Sequence, residues 1–240
     1  ILASVRFRVR FLFKANKLLS WLQHRLTPKQ FLMLSSVLVG LSGGLAAVFL
    51  KMFVHWILTN VELLSKDKQV YIALFPFIGI TLSVLFVVYL NRGKLGKGMT
   101  NILHSVARKS SILPKDQTYS HVVTAGLTVG FGGSCGLESP MVTTGAAIGS
   151  NFGRAYRMSY KERTLLLACG AAAGIAGAFN TPIAGVLFAL EALLIEANIS
   201  AFIPLLIAAA TGGLCSKVIL QEDALLHFSL QEPFDYFKCH

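Results

Sequence analysis

The residues with the clearest chemical potential lie in one glycine-rich stretch, residues 132–140, which contains a single acidic side chain, Glu138. Pro140 follows the glycines, and proline is favoured in the first turn of a helix because its missing N–H would have no partner there. The free N–H groups of such a turn, together with the helix dipole, form a positive pocket that can hold an anion. The stretch therefore predicts an anion site at a helix N-terminus.

Glu138 is placed at the mouth of this predicted pocket. Its carboxylate can occupy the anion site itself, so a small anion and the carboxylate would compete for the same N–H groups. Protonation removes the charge and with it the attraction, which gives a pH-linked gate built from one side chain. The alternative is an ordinary carboxylate in the first turn of an interfacial helix.

The composition indicates a bilayer around the elements that must position this site. Hydrophobic residues make up 54% of the 240 residues, and the mean hydropathy is +0.64. Charged residues make up 14%, whereas a soluble domain carries roughly a quarter. The sequence therefore predicts an all-α integral membrane protein.

Apolar runs of two lengths follow one another. Residues 31–58, 71–90 and 202–220 are long enough to span a bilayer, with a polar loop predicted at 61–69. The other apolar segments are about half that length and are separated by glycine and proline: 119–131, 140–152, 165–175 and 183–194. Residues 96–108 are short and polar. Tilted and broken helices of this kind point to a transport site near the bilayer midplane, although amphipathic connectors at the interface are an alternative.

The net charge of +11 is concentrated before the first apolar run. The basic residues there are Arg6, Arg8, Arg10, Lys14, Lys17, Arg25 and Lys29. They place the N-terminus in the cytoplasm and predict a multi-pass protein of the cell inner or plasma membrane. We expect residues 1–27 to form a basic amphipathic segment, 28–220 a membrane domain, and 221–240 a loop or a connection to a further repeat. No basic motif is interleaved with aromatic residues, so nucleic acid is not an expected partner.

Small residues recur at helical spacing in four stripes, which we interpret as helix packing surfaces. The stripes are Gly40/Gly44, Gly132/Gly136, Gly145/Gly149/Gly153 and Gly170/Gly174. Asn180 is predicted to cap a helix that begins at Pro182.

Other side chains with chemical potential fit structural roles. The cysteines lack metal-ligand spacing and are interpreted as small apolar fillers: Cys135, Cys169, Cys215 and Cys239. His55, His104 and His121 are isolated and are interpreted as polar or interfacial residues. No metal or cofactor is expected, and no nucleophile–base or metal-ligand arrangement indicates an enzyme.

Three motifs resemble those of the CLC family of chloride channels and proton-coupled chloride antiporters. Residues 136–140, Gly-Leu-Glu-Ser-Pro, resemble the family's G-x-E-G-P motif. Residues 145–154 are similar to the helix that follows this motif, and residues 171–191 are similar to a second signature of the family. Residues 96–100, Gly-Lys-Gly-Met-Thr, lie where the family has G-S-G-I-P. The motifs come in the family's order, and the similarity extends from about residue 31 to residue 220.

The resemblance implies a fold of two inverted repeats with tilted and broken helices, of which this chain corresponds to the first. It also implies a homodimer with one chloride pathway per subunit, and a second repeat that supplies another helix N-terminus and a tyrosine to the central site. Glu138 would be the gating glutamate. The implied anion-binding residues are Gly96, Lys97, Gly98, Gly136, Leu137, Glu138, Ser139, Pro140 and Met141.

Two departures from the motifs bear on ion selectivity. Lys97 replaces a serine whose hydroxyl contacts the central anion in the family, and Thr100 replaces a proline. The family uses the serine position to distinguish chloride from nitrate, so a fluoride- or nitrate-selective relative is an alternative. Ser139 replaces a glycine but keeps its N–H, so we expect a mild effect.

A further departure from the family concerns coupling to protons. Ala192 falls where the family's antiporters carry an inner proton-transfer glutamate, and Glu191 falls one position earlier. Because alanine carries no proton, the sequence favours a voltage- or pH-gated channel over a proton-coupled antiporter. A truncated, non-conducting assembly partner is the alternative outside transport.

Overall fold

The computed structural model describes residues 26–65, 74–91, 95–108, 110–193 and 199–220. Over these residues the chain is helical without a strand, which confirms the all-α prediction. The helices are α1 (Pro28–Ser65), α2 (Phe75–Leu85, continued by a π-helical turn, Phe86–Leu90), α3 (Met99–Arg108), α4 (Ser120–Gly130), α5 (Glu138–Ala155), α6 (Tyr160–Phe179), α7 (Pro182–Leu193) and α8 (Ile199–Leu220), with a 3-10 turn at Lys115–Thr118. The predicted segment 221–240 and nearly all of 1–27 lie outside the described residues.

The first helix begins at a capping box and runs further than the sequence indicated. The side chains and backbones of Thr27 and Gln30 exchange hydrogen bonds, with Thr27 N donating to Gln30 Oε1 at 3.1 Å. The predicted loop at 61–69 is wrong for residues 61–65, which belong to α1. Leucine and glutamate are good helix formers, so the polar residues of this turn do not end the helix.

Segment lengths divide as predicted for some helices and not for others. The helices α4 and α7 are short, as predicted, with 11 and 12 residues. The prediction that residues 71–90 are long enough to span a bilayer is wrong for the described residues, where α2 has 11 residues and the π-helical turn has five. The prediction of a half-length segment at 165–175 is wrong, because α6 has 20 residues and is long and apolar enough to cross a membrane. A capping box between Ser159 and Glu162 begins this helix earlier, in a polar stretch that hydropathy alone does not include.

Helix α6 forms the centre of the fold and packs closely against α5. The Cβ atom that an alanine would add at Gly145 would collide with the carbonyl oxygen of Gly170, and one at Gly149 with that of Leu166. One at Gly174 would lie 2.6 Å from the carbonyl oxygen of Met141. The two backbones are therefore in direct contact, as small-residue stripes in membrane helices predict.

Another stripe of small residues lies at the contact between α1 and α8. A Cβ at Gly44 would lie 2.6 Å from the carbonyl oxygen of Gly212, which confirms the packing role of the Gly40/Gly44 pair.

The Gly132/Gly136 pair is not a helix stripe, because both residues lie in the connection between α4 and α5. Gly132 has a φ of 85°, a conformation that glycine adopts freely, and a Cβ at Gly136 would meet nothing within 4 Å.

The structure places several of the side chains that were predicted to have structural roles. Asn180 ends α6 in the left-handed conformation, φ 55°, which asparagine tolerates, and its role as the cap of α7 stays a prediction. Cys135 is exposed in the α4–α5 connection and so is not an apolar filler, whereas Cys169 is fully buried beside Ser36. His121 is buried, while His55 and His104 are exposed. Cys239 lies outside the described residues.

Candidate functional site

The N-terminus of α5 presents open backbone donors. Glu138 is its first residue, and the N–H of Met141 donates to the carbonyl oxygen of Leu137 at 3.1 Å. Pro140 has no N–H, so the donors that lack an intrahelical acceptor are those of Glu138 and Ser139. Both residues are exposed, whereas Met141 is buried. This geometry narrows the predicted donor set, which extended from Glu138 to Met141.

The turn before Glu138 is anchored on one side only. Leu137 is half-buried and packs against an apolar cluster that includes Leu50 and Val54 of α1. Gly136 is exposed and has open space around it. The Glu138 side chain therefore projects from a fixed backbone into an accessible region.

The N-terminus of α3 has the same kind of geometry. The carbonyl oxygen of Gly98 accepts the N–H of Asn101 at 3.1 Å and that of Ile102 at 3.4 Å. The first N–H groups of the helix, those of Met99 and Thr100, are left for an outside partner. Gly98 itself has a φ of 56°.

These two helix N-termini meet. A Cβ built on Gly98 would lie 2.9 Å from Oγ of Ser139, so the start of α3 and the first turn of α5 are in contact. The segments 96–100 and 136–141 are thus brought to one place. Two helix dipoles that point their positive ends at one region create a favourable environment for a small anion.

Lys97 and Thr100 are exposed beside this junction. Lys97 can therefore approach an anion from an aqueous side as a point charge. Gly96 is enclosed instead: a Cβ there would collide with Nε2 of Gln117 and lie 3.1 Å from Nδ2 of Asn101. Gln117 is not among the predicted site residues, because nothing in the sequence indicates that it lies beside Gly96.

The predicted proton-coupling position belongs to another part of the fold. Helix α7 packs on α6 and α8, whereas α3 packs on α5. Ala192 is half-buried against the main apolar core, and Glu191 is exposed. In the described part of the chain, no group of three or more histidine, cysteine or acidic residues is arranged to hold a metal ion.

Three of the described helices, α1, α6 and α8, are long and apolar enough to cross a membrane, which places the chain in the class of integral membrane proteins. A family model described as "Voltage gated chloride channel" matches residues 79–239, and the chain belongs to this family. The chain is 35% identical over 122 residues to a putative chloride channel protein ClcB-like of Ralstonia nicotianae, which covers 49% of the chain and 28% of that protein. It is 29% identical over 180 residues to the chloride channel protein CLC-d of Arabidopsis thaliana, which covers 65% of the chain and 23% of that protein.

Solved structures share the fold. A slow cyanobacterial Cl⁻/H⁺ antiporter superposes with a TM-score of 0.71 at 22% identity, over 88% of this chain and 51% of that one. A CLC-type fluoride/proton antiporter superposes with a TM-score of 0.69 at 29% identity, over 86% of this chain and 51% of that one. The chain thus spans about a quarter of the length of these curated relatives and half of the solved chains.

Proposed function

We propose that the chain forms the first half of a pathway that moves chloride, or another small anion, across a lipid bilayer. The contact between Gly98 and Ser139 carries the proposal, because it joins two helix N-termini into one site. The names of the relatives support chloride as the ion. In the full-length protein a second repeat would complete the pathway, and two subunits would form a homodimer with the N-terminus in the cytoplasm.

Glu138 is the proposed gate. Glu138 is the first residue of α5 and is exposed. Its carboxylate therefore lies near the open N–H groups of Glu138 and Ser139. An anion and the carboxylate would compete for these donors, and the competition is strong where the dielectric is low. External protons would neutralise the carboxylate and leave the donors to the anion.

The test is chloride flux through the full-length protein in liposomes, with the Glu138→Gln variant. Glutamine mimics the neutral carboxyl, so we expect flux to become nearly independent of external pH. Glu162→Gln is the matched control: Glu162 is half-buried in the first turn of another helix, α6, and glutamine can still complete its capping box. Wild-type pH dependence in Glu138→Gln would exclude Glu138 as the gate, and a wild-type protein without any anion flux would favour a non-conducting assembly partner.

Transport is proposed to be passive, as in a voltage- or pH-gated channel. Ala192 is packed against the apolar core and has no group that exchanges a proton. Structural neighbours include proton antiporters, so coupling is the alternative. Passive chloride flux without a pH change in the liposome would support the channel, and a fixed ratio of chloride to protons would support the antiporter.

A second candidate function keeps the pathway and changes the ion. The 29% identity to a fluoride/proton antiporter and the presence of Lys97 favour testing fluoride and nitrate. A lysine at this position can hold an anion as a point charge without the fixed geometry of a hydroxyl. If fluoride or nitrate is the preferred ion, it will compete with chloride in flux measurements, and Lys97→Ser will shift the preference towards chloride.

A further inference from the structure

Gln117 lies against the start of α3 although it comes from the 3-10 turn that precedes α4. Its side chain is almost completely buried, with 3% of its surface exposed. A Cβ at Gly96 would collide with its Nε2 atom and lie 3.0 Å from its Cδ atom. The Gln117 carboxamide therefore fills the space in which any side chain at position 96 would lie.

Asn101 adds a second carboxamide at the same place. Its Nδ2 atom would lie 3.1 Å from the same Cβ position, and its backbone N–H already donates to Gly98 O. The backbone at Gly96 is thus bracketed by two amide side chains, one from α3 and one from the 3-10 turn. Asn101 belongs to the first turn of α3, whose open N–H groups are those of Met99 and Thr100, and the Gln117 carboxamide lies across Gly96 from it.

The Gln117 carboxamide has a hydrogen-bonding capacity that the described part of the chain does not satisfy. Its Oε1 atom is buried and accepts no hydrogen bond from any described residue. Buried polar atoms in folded proteins are nearly always paired, because an unpaired one has lost its hydration without compensation. The Oε1 atom is therefore a candidate acceptor for a donor other than the described residues.

We propose that Gln117 is a specificity-determining residue of the anion site at the N-terminus of α3, an inference that rests on the proposed function. A carboxamide has both a donor and an acceptor. Its Nε2 group donates to the anion, and its Oε1 atom accepts a hydrogen bond from a water molecule that the anion retains. The ligand class is a small, partly hydrated anion, and such water-mediated contacts can be nearly as favourable as direct ones.

Gln117 and Lys97 would contribute differently to selectivity. Lys97 is exposed and carries a flexible charge, which attracts any anion. The Gln117 carboxamide is held rigidly by burial, so it responds to the size and hydration of the anion. We therefore expect removal of the amide to change the selectivity among anions more than it changes the total anion flux.

The first test is Gln117→Met, which keeps the length of the side chain and removes both hydrogen-bonding groups. In the full-length protein we expect the permeability ratio of chloride to nitrate to shift at least fivefold, with the pH dependence from Glu138 retained. Asn151→Leu is the matched control. Asn151 is another carboxamide beside the 3-10 turn and also has an unpartnered oxygen, but it contacts Thr118 and Ala147 rather than Gly96. We expect no shift in its ratio.

Gln117→Glu keeps the shape of the side chain and serves as a second variant if the methionine variant does not fold. A carboxylate at this position would repel the anion, so we expect chloride flux at neutral pH to fall at least tenfold and to recover in acid. Unchanged selectivity in Gln117→Met, or wild-type flux in Gln117→Glu, would overturn the inference. If those results came with a Glu138→Gln variant that had lost its pH dependence, only the inference would fail. If the wild-type protein moved no anion, the proposed function would fail as well.

Discussion

Helix α5 takes part in two contacts of opposite character. Along its length, Gly145 and Gly149 press against the backbone of α6, and this surface is fully buried. At its N-terminus, Glu138 and Ser139 are exposed, and Ser139 lies against Gly98 at the start of α3. The two contacts together position the candidate site. The buried contact with α6 fixes helix α5, and the N-terminus of α5 is held in place while it remains exposed.

Helix α3 is held differently from α5. It has ten residues and buries the side chains of Ile102 and Val106 in the main apolar core, without the direct backbone contact that α5 makes. Its C-terminal end also makes polar contacts: the Tyr160 hydroxyl donates to Val106 O at 2.9 Å, and the Ser111 N–H donates to Ser105 O at 2.9 Å. One half of the junction is therefore fixed by backbone contact and the other by buried side chains and a few hydrogen bonds, and changes in the two should differ in severity.

The largest effect is expected from Gly149→Ala, which adds a methyl group to the packed contact between α5 and α6. The added methyl group would collide with the carbonyl oxygen of Leu166, and backbone cannot move aside as a flexible side chain does. Overpacking of this kind costs about 1–3 kcal/mol and sometimes more. We expect a large drop in thermal stability in detergent and little monodisperse protein in size-exclusion chromatography.

Gly136→Ala is the matched control, because a Cβ there meets nothing within 4 Å. It should leave stability unchanged although it lies two residues from the proposed gate. Equal losses in both variants would show that the contrast between the packed and open ends of α5 is wrong.

The next effect is expected at the junction itself, in Gly98→Ala. Gly98 has a φ of 56°, and non-glycine residues held in such conformations cost of order 1–3 kcal/mol. The new Cβ would also lie 2.9 Å from Ser139 Oγ and push the two N-termini apart. We expect weaker chloride binding in calorimetry with a smaller loss of stability than in Gly149→Ala.

The double variant Gly98→Ala/Ser139→Gly separates the two causes. Removing the Ser139 side chain relieves the contact and leaves the backbone strain, so part of the binding should return. If the double variant bound chloride no better than Gly98→Ala alone, the contact between α3 and α5 would not set the geometry of the site.

The helix N-termini and the small-residue stripes were predictable from the sequence, because their signals are local. Pro140 after a glycine-rich turn indicates a helix start wherever it occurs. The spacing of Gly145 and Gly149 indicates a packing face in the same way. These two predictions were confirmed, whereas the Gly132/Gly136 pair was wrongly predicted as a stripe because both residues lie in the α4–α5 connection. Helix α6 also proved longer than predicted because its capping box lies in a polar stretch.

The composition of the junction could not be read from sequence spacing. Gln117 lies 21 positions from Gly96, and the packing of the 3-10 turn on α4 and α5 brings its side chain beside that glycine. Asparagine suits both the start of a helix and a left-handed helix end, so the sequence did not indicate that Asn180 ends α6. In both cases the deciding information is tertiary.

The smallest effect is expected from Tyr160→Phe, which removes one hydrogen bond from the C-terminal end of α3. Val106 O would lose its donor from the Tyr160 hydroxyl, and a single hydrogen bond of this kind contributes about 1 kcal/mol. Tyr119→Phe is the control, because Tyr119 is exposed and precedes α4. We expect a small decrease in thermal stability for Tyr160→Phe alone, and a modest weakening of chloride binding, because α3 transmits any tilt at its end to Gly98. Chloride binding equal to that of the Tyr119 variant would show that packing on α5, and not this hydrogen bond, positions the start of α3.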